Sequence, residues 1–316
     1  MLIHQTGKFY WQAVSTNYNL SLHASCVFCA QNLPIKLTKK IYFVYEKGDE
    51  FVGSVFLRAH QICYLINSQF PNSSKVITRD KLLNLEISDS ILVFNKKSSL
   101  MLDSILSNRL RKFNNILISD LIDGNYLNFN PKYFDIAISI SKENCEYLKN
   151  RIKFEYIPHF IDLRAFKFIN SPKEKMVCYF GTNQKLNEVS SEMRNLVDFI
   201  EIPENFSIIG INNSFRDSAK YRFHLISNKA ESRSNELRFR TNTKLLTCLV
   251  LGSIPLIDER DRQSLEFLGS DWPNLINSFD SQLSYLTGVL SNDPRIQKEL
   301  CPLTHLNRWV TMFAHI

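Results

Sequence analysis

Residues 241–259 read "TNTKLLTCLVLGSIPLIDE". A hydroxyl-and-lysine cluster opens an apolar helical stretch, the stretch stops at Gly252, and a second apolar run, "SIPLI", follows at once. Gly252 permits a tight helix-to-strand turn, and Pro255 limits ladder pairing in the strand. A helix N-terminus presents unpaired backbone N–H groups and the positive end of the helix dipole. It is therefore a ready place for a phosphate. Thr241 and Thr243 can cap this helix and donate hydroxyl hydrogen bonds, and Lys244 and Arg240 can neutralise a phosphate's charge. The structural alternative is a capped core helix with a solvated lysine, so the rest of the chain has to decide.

Working outward, "IYFVYE" (41–46), "KVITR" (75–79), "SILVFN" (90–95), "NILISDL" (115–121) and "FDIAISI" (134–140) have the composition of buried strands. "VFLRAHQICYLINSQF" (55–70) has apolar residues at helical spacing, with Ser54 suited to its N-cap. "SSLMLDSILSNRLRKF" and "KENCEYLKNR" read as further helices, and "FEYIPHFID" (154–162) closes this half. Strands alternating with helices predict a parallel sheet covered on both faces. "INSPKEK" (169–175) reads as a linker. A second α/β series follows: "MVCYFGTNQK" (176–185), "FSIIGI" (206–211), "YRFHLIS" (221–227) and the opening stretch. The tail "THLNRWVTMFAHI" is an amphipathic helix with Leu306, Trp309, Val310 and Phe313 on one face. The expected organisation is two doubly wound domains, 1–168 and 176–316. Ligands would lie outside the carboxyl ends of the strands, in the cleft where the domains face each other. The linker and the C-terminal helix are expected to be the only chain crossings between them.

Composition narrows the function classes. The 316 residues are 44% hydrophobic and 22% charged, as in an ordinary soluble globular protein. No apolar run reaches a membrane-spanning length, and "MLIHQTGKFYWQ" lacks the pattern of a signal peptide. The seven cysteines are odd in number and scattered, which favours a reducing cytoplasm. Cys26 and Cys29, with His23 nearby, lack a second ligand pair and read as small buried thiols. The net charge of +7 suits an anionic membrane surface or a phosphorylated ligand. Nucleic acid is not expected, since no nucleic-acid-binding motif is present.

In order and spacing, "TKLLTCLVLGSIPLI" resembles the donor-binding signature of GT-B glycosyltransferases, "K-L-x-E-x-x-A-x-G-x-P-V-I". The likeness is to a divergent form of the family 4 and family 1 signature. Lys244, Leu245, Gly252, Pro255, Leu256 and Ile257 fall at matching offsets. "FDIAISISKENCEYL" with "YIPHFID" resembles the end of a GT-B N-domain, and "VCYFGT" the "y-v-G" strand that opens the C-domain. The likeness covers roughly residues 40–265. It implies two Rossmann-like domains and a nucleotide-sugar donor on the second, held at Gly181, Thr182, Lys185, Glu236, Arg240, Thr241, Thr243 and Lys244. It further implies metal-independent chemistry with no cofactor. One departure stands out. Retaining relatives carry two glutamates here, the second just inside the helix, whereas this chain has Phe239 and Thr247 at those positions.

In inverting relatives the base often sits in the loop after the first N-domain strand, here "EKGDEFVGS". That makes Asp49 the first candidate and His60 the second; a solvated loop acid and a structural helix-face histidine are the plainer readings. Arg58, beside His60 in "LRAHQ", and Asp120 and Asp123 in "SDLIDGN" are the acceptor-side candidates. Arg109, Arg111 and Lys112 end an amphipathic helix and suit either solvent or anionic lipid. The expectation is a cytoplasmic enzyme, peripheral at the inner face of the membrane, that glycosylates a surface-glycan or lipid-linked acceptor. The alternatives are a sugar-nucleotide epimerase, a glycerol-phosphate transferase, or a non-catalytic subunit that binds glycan or a partner enzyme.

Overall fold

The computed structural model describes residues 36–50, 52–122, 129–169, 171–181, 197–203, 208–226, 243–258, 261–269, 275–276 and 302–316. Strands β1 (Lys40–Tyr45), β2 (Ser74–Thr78), β3 (Ser90–Asn95), β4 (Ile116–Asp120), β5 (Ile136–Ser139) and β6 (Phe154–Tyr156) form a parallel sheet in the order β2-β1-β3-β4-β5-β6. β3 and β5 are buried along their whole length, because helices cover both faces of such a sheet; hence their unbroken apolar sequence. Helix α1 follows β1. It comprises a turn at Gly53–Val55, a π-helical stretch at Phe56–His60 and an α-helical stretch at Gln61–Gln69. α2 (Arg79–Leu83), α3 (Lys96–Leu100), α4 (Ser104–Lys112) and α5 (Lys142–Leu148) make the later crossovers. Val44, Leu92, Phe94 and Leu117 of the sheet share one core with Leu102, Leu106 and Leu110.

A second parallel sheet contains β7 (Lys175–Gly181), β8 (Asp198–Glu201), β9 (Tyr221–Ile226), β10 (Ile254–Asp258) and β11 (Leu275–Ile276), in the order β11-β10-β9-β7-β8. Its helices are α6 (Ile208–Ser218), α7 (Thr243–Val250) and α8 (Arg262–Leu268). Each sheet grows to one side of its first strand and then to the other. The strand order therefore switches between β1 and β3, and between β7 and β9. The last helix, α9 (Pro302–Ala314), sets Trp309 and Phe313 edge-on against Phe43 of β1, with ring centroids 5.8 and 6.4 Å apart.

The described residues group into two compact units, 36–160 with 305–316, and Ile161 to Thr304. The end of the chain thus completes the first unit, where the sequence placed it in the second domain. The boundary after Phe160 also precedes the expected linker, because the 3₁₀ turn Leu163–Phe168 packs against α6.

Other expectations are corrected. "FSIIGI" is not a strand: its described residues begin α6, whose buried positions Ile211, Ser214, Phe215 and Ser218 recur at helical spacing beyond the quoted run. "SSLMLDSILSNRLRKF" is two helices, because Asp103 accepts a hydrogen bond from the Leu106 N–H (2.8 Å) and caps α4. Ser54 lies inside the first turn of α1 and does not cap it; Val52 holds that place.

Candidate functional site

The turn that closes α7 shows why Gly252 stands where it does. The Gly252 N–H bonds to Leu249 O (3.1 Å) and the Ser253 N–H to Cys248 O (3.0 Å), a Schellman motif with Gly252 at φ +70°. The chain enters β10 at once. Pro255 lies opposite His224 of β9, ahead of the residues Ile257 and Asp258 that pair with β11. Lys173 holds the same end of the unit. Its ammonium donates to Ala219 O, Leu251 O and Ser253 Oγ (2.8, 2.8 and 2.9 Å), beyond the ends of α6 and α7.

The other end of α7 lies at the switch point. Thr243, its first described residue, is exposed, and Lys244 is buried. The Lys244 ammonium donates to Tyr179 Oη (2.6 Å) and stands 4.1 Å from the centre of that ring. Tyr179 and Gly181 are two apart on β7 and so face the same way. A Cβ on Gly181 would lie 2.8 Å from Tyr179 Cε1 and 3.3 Å from Lys244 Nζ, so the space beside the strand end is already taken by that pair. The structure therefore brings together Gly181 at the end of β7 and Lys244 at the start of α7, which lie far apart in the sequence. It adds Tyr179, which the sequence reading passed over although the i, i+2 pattern of a strand connects it to Gly181. Thr247 donates its hydroxyl to Thr243 O (2.9 Å). Thr182, Lys185, Glu236, Arg240, Thr241 and Asp123 lie outside the described residues, as does the Cys26–Cys29 pair.

At the carboxyl edge of the first sheet, Asp49 follows β1 and accepts from Lys97 Nζ (3.2 Å). His60 ends the π-helical stretch with its ring 5.7 Å from that of Tyr45. Glu46, just past β1, is bound by Arg79 at the start of α2 (2.6 Å). Neither Lys97 nor this second pair was among the residues expected at the site from the sequence. Arg58 and Asp120 meet in a bidentate ion pair (2.9 and 2.8 Å), each side chain 1% exposed. Arg58 Nη1 also donates to Ile157 O and Pro158 O (3.1 and 2.9 Å), and its guanidinium lies 4.8 Å from the Trp309 ring centre. Burial pushes the Asp120 carboxyl up, and the charge and hydrogen bonds of Arg58 pull against that rise. His159 is driven down to about 3 by burial and then by the charge of Arg58. On α4, Arg109 donates to Leu83 O (3.2 Å), Arg111 pairs with Asp135 (3.0 Å), and Lys112 is exposed.

Among the described residues, no helix is long and apolar enough to cross a membrane. No group of three or more His, Cys, Asp or Glu among them could hold a metal ion. No family model matches the sequence, and no curated protein matches it. Among solved structures, the chain is similar to an α,α-trehalose-phosphate synthase (UDP-forming) from Burkholderia vietnamiensis. The TM-score is 0.45 and the identity 12%, over 75% of this chain and 74% of that one.

Proposed function

We propose that this chain is a GT-B glycosyltransferase that moves a sugar from a nucleotide-sugar donor to a surface-glycan or lipid-linked acceptor at the inner face of the membrane. One observation carries the reading. A buried lysine at the start of α7 stands beside a bare glycine at the end of β7, at the switch point of a doubly wound sheet. Ligands of such sheets bind there. An ammonium in a water-poor site stabilises a departing diphosphate far more than it would in bulk water. Lys244 is thus the leaving-group stabiliser. Gly181 allows close backbone approach, and Thr182, Lys185, Glu236, Arg240, Thr241 and Thr243 complete the donor side without a metal.

The first unit supplies the base. Asp49 leads because it is a carboxylate just past the end of β1, and His60 is the alternative. Thr247 gives its hydroxyl to the helix backbone and offers no carboxylate, which favours inversion over a retaining arrangement. Arg58 and Asp120 serve the acceptor side by fixing the end of β4 rather than by touching the acceptor.

The test is turnover. The chain is incubated with a panel of labelled nucleotide sugars and candidate lipid-linked acceptors. Nucleoside diphosphate release is followed, and the anomeric configuration of the product is read by NMR. Release coupled to an inverted product supports the reading. Retention of configuration removes Asp49 and His60 as bases, and nucleotide binding without turnover favours the non-catalytic alternative.

A further inference from the structure

We propose that Tyr179 is the positioning residue of the donor site: its hydroxyl and ring hold the Lys244 ammonium at the end of β7, and Gly181 is kept without a side chain to leave that arrangement room. The proposal rests on the reading of Lys244 as the diphosphate-binding lysine, and it goes on to say what keeps that lysine in place.

Lysine is a poor residue for a fixed charge. Its four-carbon stem has many rotamers, and fixing it costs side-chain entropy. A site that must meet a diphosphate without reorganisation needs that cost met by the fold beforehand. Tyr179 can meet it in two ways at once. The phenol oxygen accepts from Nζ at 2.6 Å, and the ring offers its negative face to the same atom, 4.1 Å from the centroid. Tyr179 is itself 1% exposed and stacks on Phe199 of β8, with centroids 6.2 Å apart, so the phenol has little freedom of its own. Being neutral, it steadies the ammonium without cancelling its charge, as a carboxylate partner would. Gly181 supplies an independent sign of the same design. A Cβ there would collide with the Tyr179 ring at 2.8 Å and crowd Nζ at 3.3 Å. Tyr179 lies on β7, paired on both sides by β8 and β9, so the ring is fixed by the sheet while Lys244 comes from the helix, and the bond joins the two.

The experiment is a double-mutant cycle on the full chain, read by calorimetric titration with UDP, GDP, ADP and dTDP in turn. Tyr179→Phe keeps the ring and its packing and removes only the hydroxyl. It is expected to weaken binding of the recognised nucleotide about three- to tenfold in the wild-type background, the loss of one hydrogen bond. In a Lys244→Met background the same change is expected to have less than about a twofold effect, because Tyr179 acts only through the lysine. A merely structural tyrosine would lower affinity equally in both backgrounds, and that result would overturn the proposal. So would a Tyr179→Phe protein that binds as tightly as wild type while Lys244→Met does not. If Lys244→Met itself binds normally, or no nucleotide binds the wild type, the underlying site assignment falls first. Gly181→Ala provides the second arm: by crowding Nζ it should weaken binding in the wild type and have little effect in the Lys244→Met background, whereas an equal loss in both backgrounds would contradict the shared role.

Discussion

Arg58 shows how much one residue can organise. Its guanidinium is buried and reaches Asp120, two backbone carbonyls before the end of the first unit, and the face of Trp309. Arginine stays charged in such a site, so removing it leaves Asp120 buried without compensation. Arg58→Met is expected to lower the stability of the first unit by about 3–5 kcal/mol in urea titration. Arg58→Met combined with Asp120→Leu should recover much of that loss, whereas an acceptor-binding pair at the surface would show neither effect. His224 is the residue to follow with pH. Its Nε2 lies 2.9 Å from Ser218 O, its Nδ1 has no hydrogen-bond partner among the described residues, and burial lowers it from 6.5 to about 4. The unfolded chain therefore binds a proton that the folded chain refuses. The resulting stability is present above about pH 6.5 and is lost as pH falls through the folded value near 4. His224→Gln should flatten the acid limb of the second unit's stability between those values; an unchanged limb would place acid sensitivity elsewhere. Neither role could be read from the sequence, where Arg58 and His224 are single polar letters in apolar runs. Their partners lie far along the chain for Arg58 and around a turn for His224.

At the scale of elements, the most legible stretch was 243–258, because helix, glycine stop and strand each carry a local signal. Gly252 is the clearest case. At φ +70° an alanine is strained whatever the space around it, so Gly252→Ala should cost about 1–2 kcal/mol in thermal or urea unfolding. A neutral effect would mean that the turn relaxes. The strands of the first sheet were legible because burial on both faces makes them uniformly apolar. α6 was not, since "SIIG" is a short apolar run that fits strand or helix equally until Phe215 and Ser218 are counted. The π-helical stretch in α1, where the Gln61 N–H bonds to Phe56 O, leaves no mark in composition. At the candidate site, Gly181 and Lys244 could be named from pattern. Their contact through Tyr179 could not, because only the sheet brings β7 beside the start of α7.

At the scale of the whole molecule, the chain makes two doubly wound sheets, and its last helix returns to complete the first. Trp309, Val310 and Leu306 of that helix are fully buried, and Trp309 meets both Phe43 and Arg58. A chain ending at residue 304 should therefore lose hydrogen-exchange protection in β1 and β3 while β7 and β9 keep theirs; equal protection in both sheets would show that the helix is dispensable. The amphipathic face of this helix was legible in the sequence, but the sheet it covers was not, because periodicity gives a face and not a partner. Lys244 is proposed to receive the diphosphate of a nucleotide sugar, and calorimetry comparing the nucleotide affinity of wild type and Lys244→Ala is the decisive measurement. The wild type should bind at least one nucleoside diphosphate, and the variant should lose about 1.5–3 kcal/mol of that affinity with its fold intact. Equal affinity in the two proteins would contradict it.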